Sequence, residues 1–281
     1  MISAKTADAN LAGLTSTSLV AVWRLVYYVY AVSIHIHEAI FDLFKEDIEF
    51  TASVAPQAIT QWYAEETKVF QYGDNLVFQS FDITDSDGIT RPVWRLDYAT
   101  IDTTKQIASL AAATDESGLI KIKAAKVVSG VAQKLSAPEK TALETYWLKK
   151  RFAGTPIVVI SQDPDLMKLQ ARIVYNPLIM DSSGESLASP GTFPVEDAID
   201  TFLATFQGSD FGAEMKVMKL VTAIENTEGV INCVVTQVEC KTSTGSYSDI
   251  LAVTNQSYIA EAGYLAIDGS FPLSSNLTYV S

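Results

Sequence analysis

The chain has 281 residues, 48% of them apolar and 19% charged, which is enough to bury a sizeable core and too apolar for a disordered tail. Its formal net charge of −13, with no Lys/Arg cluster beyond Lys149-Lys150-Arg151, argues against nucleic acid as a partner, because phosphate binding needs a basic face. The two cysteines, Cys233 and Cys240, lie seven residues apart in a strand-like run; an odd offset predicts opposite faces and no disulfide, which suits a reducing compartment.

Residues 1–16 read as an extended arm and show no secretory signal, since no basic segment runs directly into an apolar core. Thr15, Ser16 or Thr17 is placed to cap a long helix that continues to about Phe50. Within it Val20, Trp23, Tyr27, Tyr30, Ile34, His37, Phe41, Phe44 and Ile48 recur at alternating steps of three and four, a heptad seam with one polar member. A second stripe runs through Val22, Val26, Val29, Ser33, Ile36, Ile40 and Leu43. At 100° per residue the stripes lie roughly 110° apart, so the helix needs cover on two sides. A bundle completed by other chains supplies that cover, and the seam is the expected oligomer interface. The apolar run Leu19–Ile34 contains Arg24 and falls short of the roughly 20 residues of a membrane span.

Pro56 suits the first turn of a second helix over 56–71, whose Ile59, Trp62, Tyr63, Thr67 and Phe70 face makes it an antiparallel partner for the long helix. The pattern then changes to period two. Strands are expected at 76–83 and 93–101 around the turn Asp85-Ser-Asp-Gly88, and at 107–113 and 119–128 around Asp115-Glu-Ser-Gly118. Ser136-Ala-Pro-Glu139 has the form of a capping box and starts a helix to about Phe152. A second mixed unit follows: strands at 155–161 and 166–180 joined by Asp163-Pro-Asp165, helices at 195–206 and 213–226, then strands from Val230 to Lys241, at 262–268 and at 277–280. The expected fold is α+β. An arm and helical segment (1–74) precedes two sheet-plus-helix units (75–153 and 154–281).

Few groups offer chemistry. On a helix His35 and His37 point roughly 200° apart and cannot share an ion. His35, Glu38 and Asp42 do share a face, but His37 is read as a polar seam member that sets register. Asp85-Ser-Asp-Gly88 lacks the third ligand, the sixth-position Gly and the twelfth-position Glu of a calcium loop and reads as a turn, as do Asp163-Pro-Asp165 and Asp181-Ser-Ser-Gly184. No G-x-S-x-G, Walker loop, G-x-G-x-x-G or C-x-x-C occurs. No catalytic residue, cofactor or metal ligand is therefore expected. Tyr28, off both stripes, is a candidate intermolecular contact, because Tyr combines apolar area with a polar tip.

The second half carries a resemblance. Pro156–Ile160, Asp163-Pro-Asp-Leu166 and Leu169-Gln-Ala-Arg-Ile-Val-Tyr-Asn-Pro-Leu178 come first. The helix Val195-Glu-Asp-Ala-Ile-Asp-Thr-Phe-Leu203 and the segment Ala223-Ile-Glu-Asn-Thr-Glu-Gly-Val230 complete the order. This resembles the C-terminal domain of the baseplate J-like family of tailed phages and related contractile injection machines. In that family a strand ending in a Pro precedes a helix, and a helix-Gly-Val turn leads into the next strand. The first half, through Asn10–Ser18, Trp62-Tyr63 and Phe70–Gly73, is similar to small baseplate proteins of phages infecting Bacteroidetes-type hosts. The chain is short for the family and departs from it in the middle.

The resemblance implies a baseplate wedge subunit in the virion, assembled in the bacterial host cytoplasm. Its helices would join those of neighbouring copies and of other tail proteins, without an active site and without a membrane span. Another virion structural role, such as a tail-completion or connector subunit, fits the long helix equally. An enzyme or a membrane-associated protein would have to use the His35/Glu38/Asp42 face or the apolar run.

Overall fold

The computed structural model describes residues 18, 21–54, 59–84 and 90–281. The fold is α+β, in two units: one holds the long N-terminal helix with Phe81–Val93, the other Gln57–Ser80 with Trp94–Ser281. The expected arm, its caps and the Asp85–Gly88 turn lie outside the described residues, as does the start of the second helix at Pro56.

In the first unit helix α1 spans Val22–Val54, four residues beyond the expected end. Strands β1 (Leu76–Thr84) and β2 (Thr90–Tyr98), of which only Phe81–Thr84 and Thr90–Val93 belong to the first unit, form a two-stranded sheet where period-two alternation placed a hairpin. The Thr84 and Thr90 hydroxyls are 2.9 Å apart at its outer end.

The second unit contains a four-stranded and a five-stranded sheet, besides smaller two-stranded pairings. In the first, β3 (Leu110–Glu116) pairs antiparallel with β4 (Leu119–Val128) through a two-residue turn at Ser117-Gly118. Both turn residues have positive φ, 55° and 85°, and the Asp115 carboxylate accepts the Gly118 N–H at 2.8 Å. This turn twists in the same sense as the strands it joins, so the hairpin closes without splaying. Strand β5 (Val131–Lys134) follows on β4. Helix α3 (Ala137–Lys150) then opens on the predicted capping box, with Glu139 accepting the Ser136 N–H at 2.6 Å. The chain returns through β6 (Ile157–Ile160), which runs parallel to β4. The first sheet thus reaches past residue 154, the boundary drawn from the sequence. A strand after a crossover helix completes the sheet it left, and Val159 joins the core under α3.

Helix α2 (Thr60–Lys68) belongs to that same core. Trp62 and Tyr63 meet Trp147 of α3 at ring-centroid distances of 5.8 and 5.3 Å, and Phe152 lies 5.2 Å from Trp62. The aromatic face that the sequence offered to the long helix packs here against Trp147 and Phe152.

In the second sheet the order is β10 (Ser248–Asp249), β9 (Val230–Lys241), β7 (Asp165–Tyr175), β12 (Leu265–Ile267), with β13 (Leu277–Val280) also parallel to β7. Met167, Leu169, Ala171, Ile173 and Tyr175 alternate onto one buried face. Helices α4 (Pro194–Thr205) and α5 (Val217–Glu225) contribute Ile199, Leu203, Leu220 and Ile224 to the same core. Pro194 in the first turn with Glu196 and Asp197 beside it suits a helix N-terminus. The helix expected over 213–226 is shorter: Glu214–Lys216 forms β8, paired with β11 (Ser257–Ile259), so cross-strand pairing overrides local periodicity there. A bulge at Thr236 shifts the β7–β9 register between Gln170 and Ala171. That extra residue turns an odd offset into an even one. Cys233 and Cys240 therefore face the same core, both free and buried, where opposite faces were expected.

Gly229 sits at φ +92°, and a Cβ there would come within 2.8 Å of Met180 Sδ and 2.9 Å of Ile179 Cγ2. Gly229→Ala is expected to cost about 1–3 kcal/mol, from backbone strain and overpacking together. Urea unfolding checks this; a loss under about 0.5 kcal/mol would mean that the turn relaxes freely.

Candidate functional site

Helix α1 leaves apolar side chains exposed along both predicted stripes. Along the predicted seam Tyr30 is 64% exposed, Ile34 57%, Phe41 69%, Phe44 60%, and Tyr27, His37 and Ile48 are exposed as well. Trp23 is half-buried and meets Tyr27 edge-on at 6.4 Å, with the Arg24 guanidinium 5.8 Å from its ring centroid. Val20, the first seam member, lies outside the described residues. The second stripe is equally open at Val22, Val26, Val29, Ile36, Ile40 and Leu43, and so is Tyr28. Two apolar stripes on one helix need cover on two sides. No helix among the described residues is long and apolar enough to cross a membrane.

His35, Glu38 and Asp42 are exposed on α1. Among the described residues no group of three His, Cys, Asp or Glu side chains could hold a metal ion. Asp181 forms the turn expected of it, accepting from the Ser183 N–H, the Ser183 hydroxyl and the Glu185 N–H, and these hydrogen bonds lower its pKa. Asp165 departs from expectation. It is fully buried and accepts from Tyr258 Oη at 2.7 Å, Glu261 N at 2.7 Å and Ala262 N at 3.3 Å. Nearby, buried Lys123 of the first sheet donates to the Ala260 carbonyl at 2.6 Å. Burial lowers the Lys123 pKa, and the Asp165 charge acts against that shift. This network clamps the 258–262 loop onto both sheets; it is a structural joint.

A cleft of about 270 Å³ lies between Gln71, Asp74, Tyr98, Tyr146 and Lys149. Its two tyrosines stack at 6.0 Å, and burial pushes Tyr98 up to about 12 and Tyr146 higher still. Tyr146 donates to Glu66 at 2.5 Å, and Lys150 pairs with Glu66 and with Asp97. Hydroxyls held protonated in this way can donate hydrogen bonds near neutral pH but do not serve as bases.

Two surface features escaped the sequence pattern. Phe78 and Trp94 stack across the hairpin at 5.8 Å while 69% and 63% exposed. Alternation marked both as strand residues, but only the two-stranded sheet leaves their face bare. Lys168 Nζ sits 3.6 Å from the Tyr247 ring centroid and 4.0 Å from that of Phe271, pinning two loops to the outer face of the second sheet. Of all these, α1 presents the largest uncovered apolar area. No family model and no curated protein matches this chain. The assignment of a role therefore rests on α1 and on the order of elements in the second sheet.

Proposed function

We propose that this chain is a structural subunit of a phage or phage-like tail baseplate, a wedge component that assembles with its neighbours through α1. The observation that carries this reading is the exposure of two adjacent apolar stripes on a 33-residue helix. Monomeric proteins rarely leave so large a contiguous apolar surface open. The order β7, α4, α5, β9, with Gly229 turning the chain into Val230, also supports it, since this is the order on which the baseplate J-like resemblance rests. A tail-completion or connector role draws on the helix alone, so the second sheet favours the baseplate.

In this reading the subunit works mechanically. Packed interfaces between copies hold one arrangement until the tail is triggered and then re-pack together. A density map of whole particles tests the proposal. The chain is expected to repeat around the tail axis, with α1 surrounded by helices of neighbouring chains. A chain found outside the tail, or an α1 facing solvent in the assembled particle, would overturn it.

A further inference from the structure

We infer that two copies of this chain pair through α1 in antiparallel fashion, in the register that sets Arg24 of one copy beside Glu38 of the other. This rests on the reading of α1 as an inter-chain element and adds who the partner is and how it lies.

Charge decides the direction. The first half of α1 carries Arg24 and no acid, whereas residues 38–49 carry five acidic residues against Lys45. Two parallel copies would lay the acidic halves side by side. Antiparallel copies set each acidic half against the cationic, positive-dipole end of the other. The second copy supplies this complement with no further partner.

Heptad geometry decides the register. In an antiparallel pair, knobs of one seam set face knobs of the other set, and the flanking positions meet their own kind across the interface. In the register proposed, Trp23 faces the partner's Phe41, Tyr30 faces the partner's Ile34, and Arg24 flanks the partner's Glu38 on both sides of the two-fold axis. A shift of one heptad keeps the apolar layers but in one direction brings Arg24 beside the partner's Lys45, like charge against like, and in the other beside the partner's Ala31, which loses the ion pair. The area suffices. A buried aromatic contributes about 150–250 Å², so Tyr30, Phe41 and Phe44, at 60–69% exposure, offer on the order of 100 Å² each. With the rest of the seam this approaches the roughly 800 Å² per partner of a standard interface. The outer part of the second stripe, Val22, Val29, Ile36 and Leu43, remains open for further neighbours.

Single-cysteine cross-linking of the full chain tests the inference; the native Cys233 and Cys240 are buried. Ser33 falls next to the two-fold axis in this register, so Ser33→Cys is expected to give a homotypic disulfide under mild oxidation. Phe44→Cys, far from its own copy, is expected to give none. Arg24→Glu and Glu38→Arg should each weaken association by about tenfold, and the two together should restore it. If the chain associates but only Phe44→Cys cross-links, the copies are parallel and the inference falls while the inter-chain reading stands. Association with neither cross-link, or without rescue by the double exchange, overturns the register. A chain that stays monomeric removes the inter-chain reading and the pairing with it.

Discussion

Replacing Tyr27 and Ile34 together by Asp is expected to abolish association of the full chain while leaving Gln57–Ser281 folded. Ile34 is more than half exposed and Tyr27 is exposed in the isolated chain, so neither substitution removes an internal core. At an interface, however, each change buries an unpaired carboxylate where an anchor stood. Two per copy should weaken association on the order of 1,000-fold or more. Sedimentation velocity reads the loss, and the thermal transition of the second unit reads its integrity. Unchanged association would show that the seam is not the interface, and a lost transition would show that the helix supports the rest of the fold.

The second large effect is expected at Asp165. Asp165→Ala leaves Tyr258 Oη and two backbone N–H groups without their acceptor and removes a compensating negative charge from buried Lys123. Breaking a buried charged network in this way costs about 3–5 kcal/mol. Lys123→Met should recover part of the loss when combined with Asp165→Ala, since it removes the cation left behind. Denaturant unfolding of the two single variants and the double variant measures the coupling. A loss below about 1 kcal/mol for Asp165→Ala would mean that water satisfies the loop, and strict additivity would mean that the two charges act independently.

The fold was legible wherever one local signal decided an element. Ser136 with Glu139 marked the start of α3, Gly118 marked a tight turn, and the run from Leu166 marked a strand, which the structure ends at Tyr175 and not at Met180. It was not legible where partners distant in sequence compete. The face of Trp62 and Tyr63 matches α1 and α3 equally in pattern; only the positions of Trp147 and Phe152 settle the choice. Parity along β9 fails because one bulge residue, Thr236, changes which face Cys233 shares with Cys240. The Asp163-Pro-Asp165 stretch reads as a turn, yet its two acids part company. Asp163 pairs with Lys134 at 2.6 Å near the surface, and Asp165 goes inside because loop 258–262 brings it three donors.

The candidate site shows the same division. A seam at alternating steps of three and four reveals an apolar face from sequence alone, but not whether the chain itself covers that face. The structure shows the face exposed on α1, with Tyr27, Tyr30, Phe41 and Phe44 open and Trp23 half-buried. The Phe78–Trp94 pair could not be found in this way, since a strand residue is bare only when nothing packs on its side of the sheet.

The claim on which the rest depends is that α1 belongs between chains. Light scattering of the full chain, purified without partners at micromolar concentration, tests it most directly. The expected mass is at least twice the 30.6 kDa of one chain, falling to that value in the Tyr27→Asp, Ile34→Asp variant. A clean 30.6 kDa monomer for the unaltered chain would contradict it.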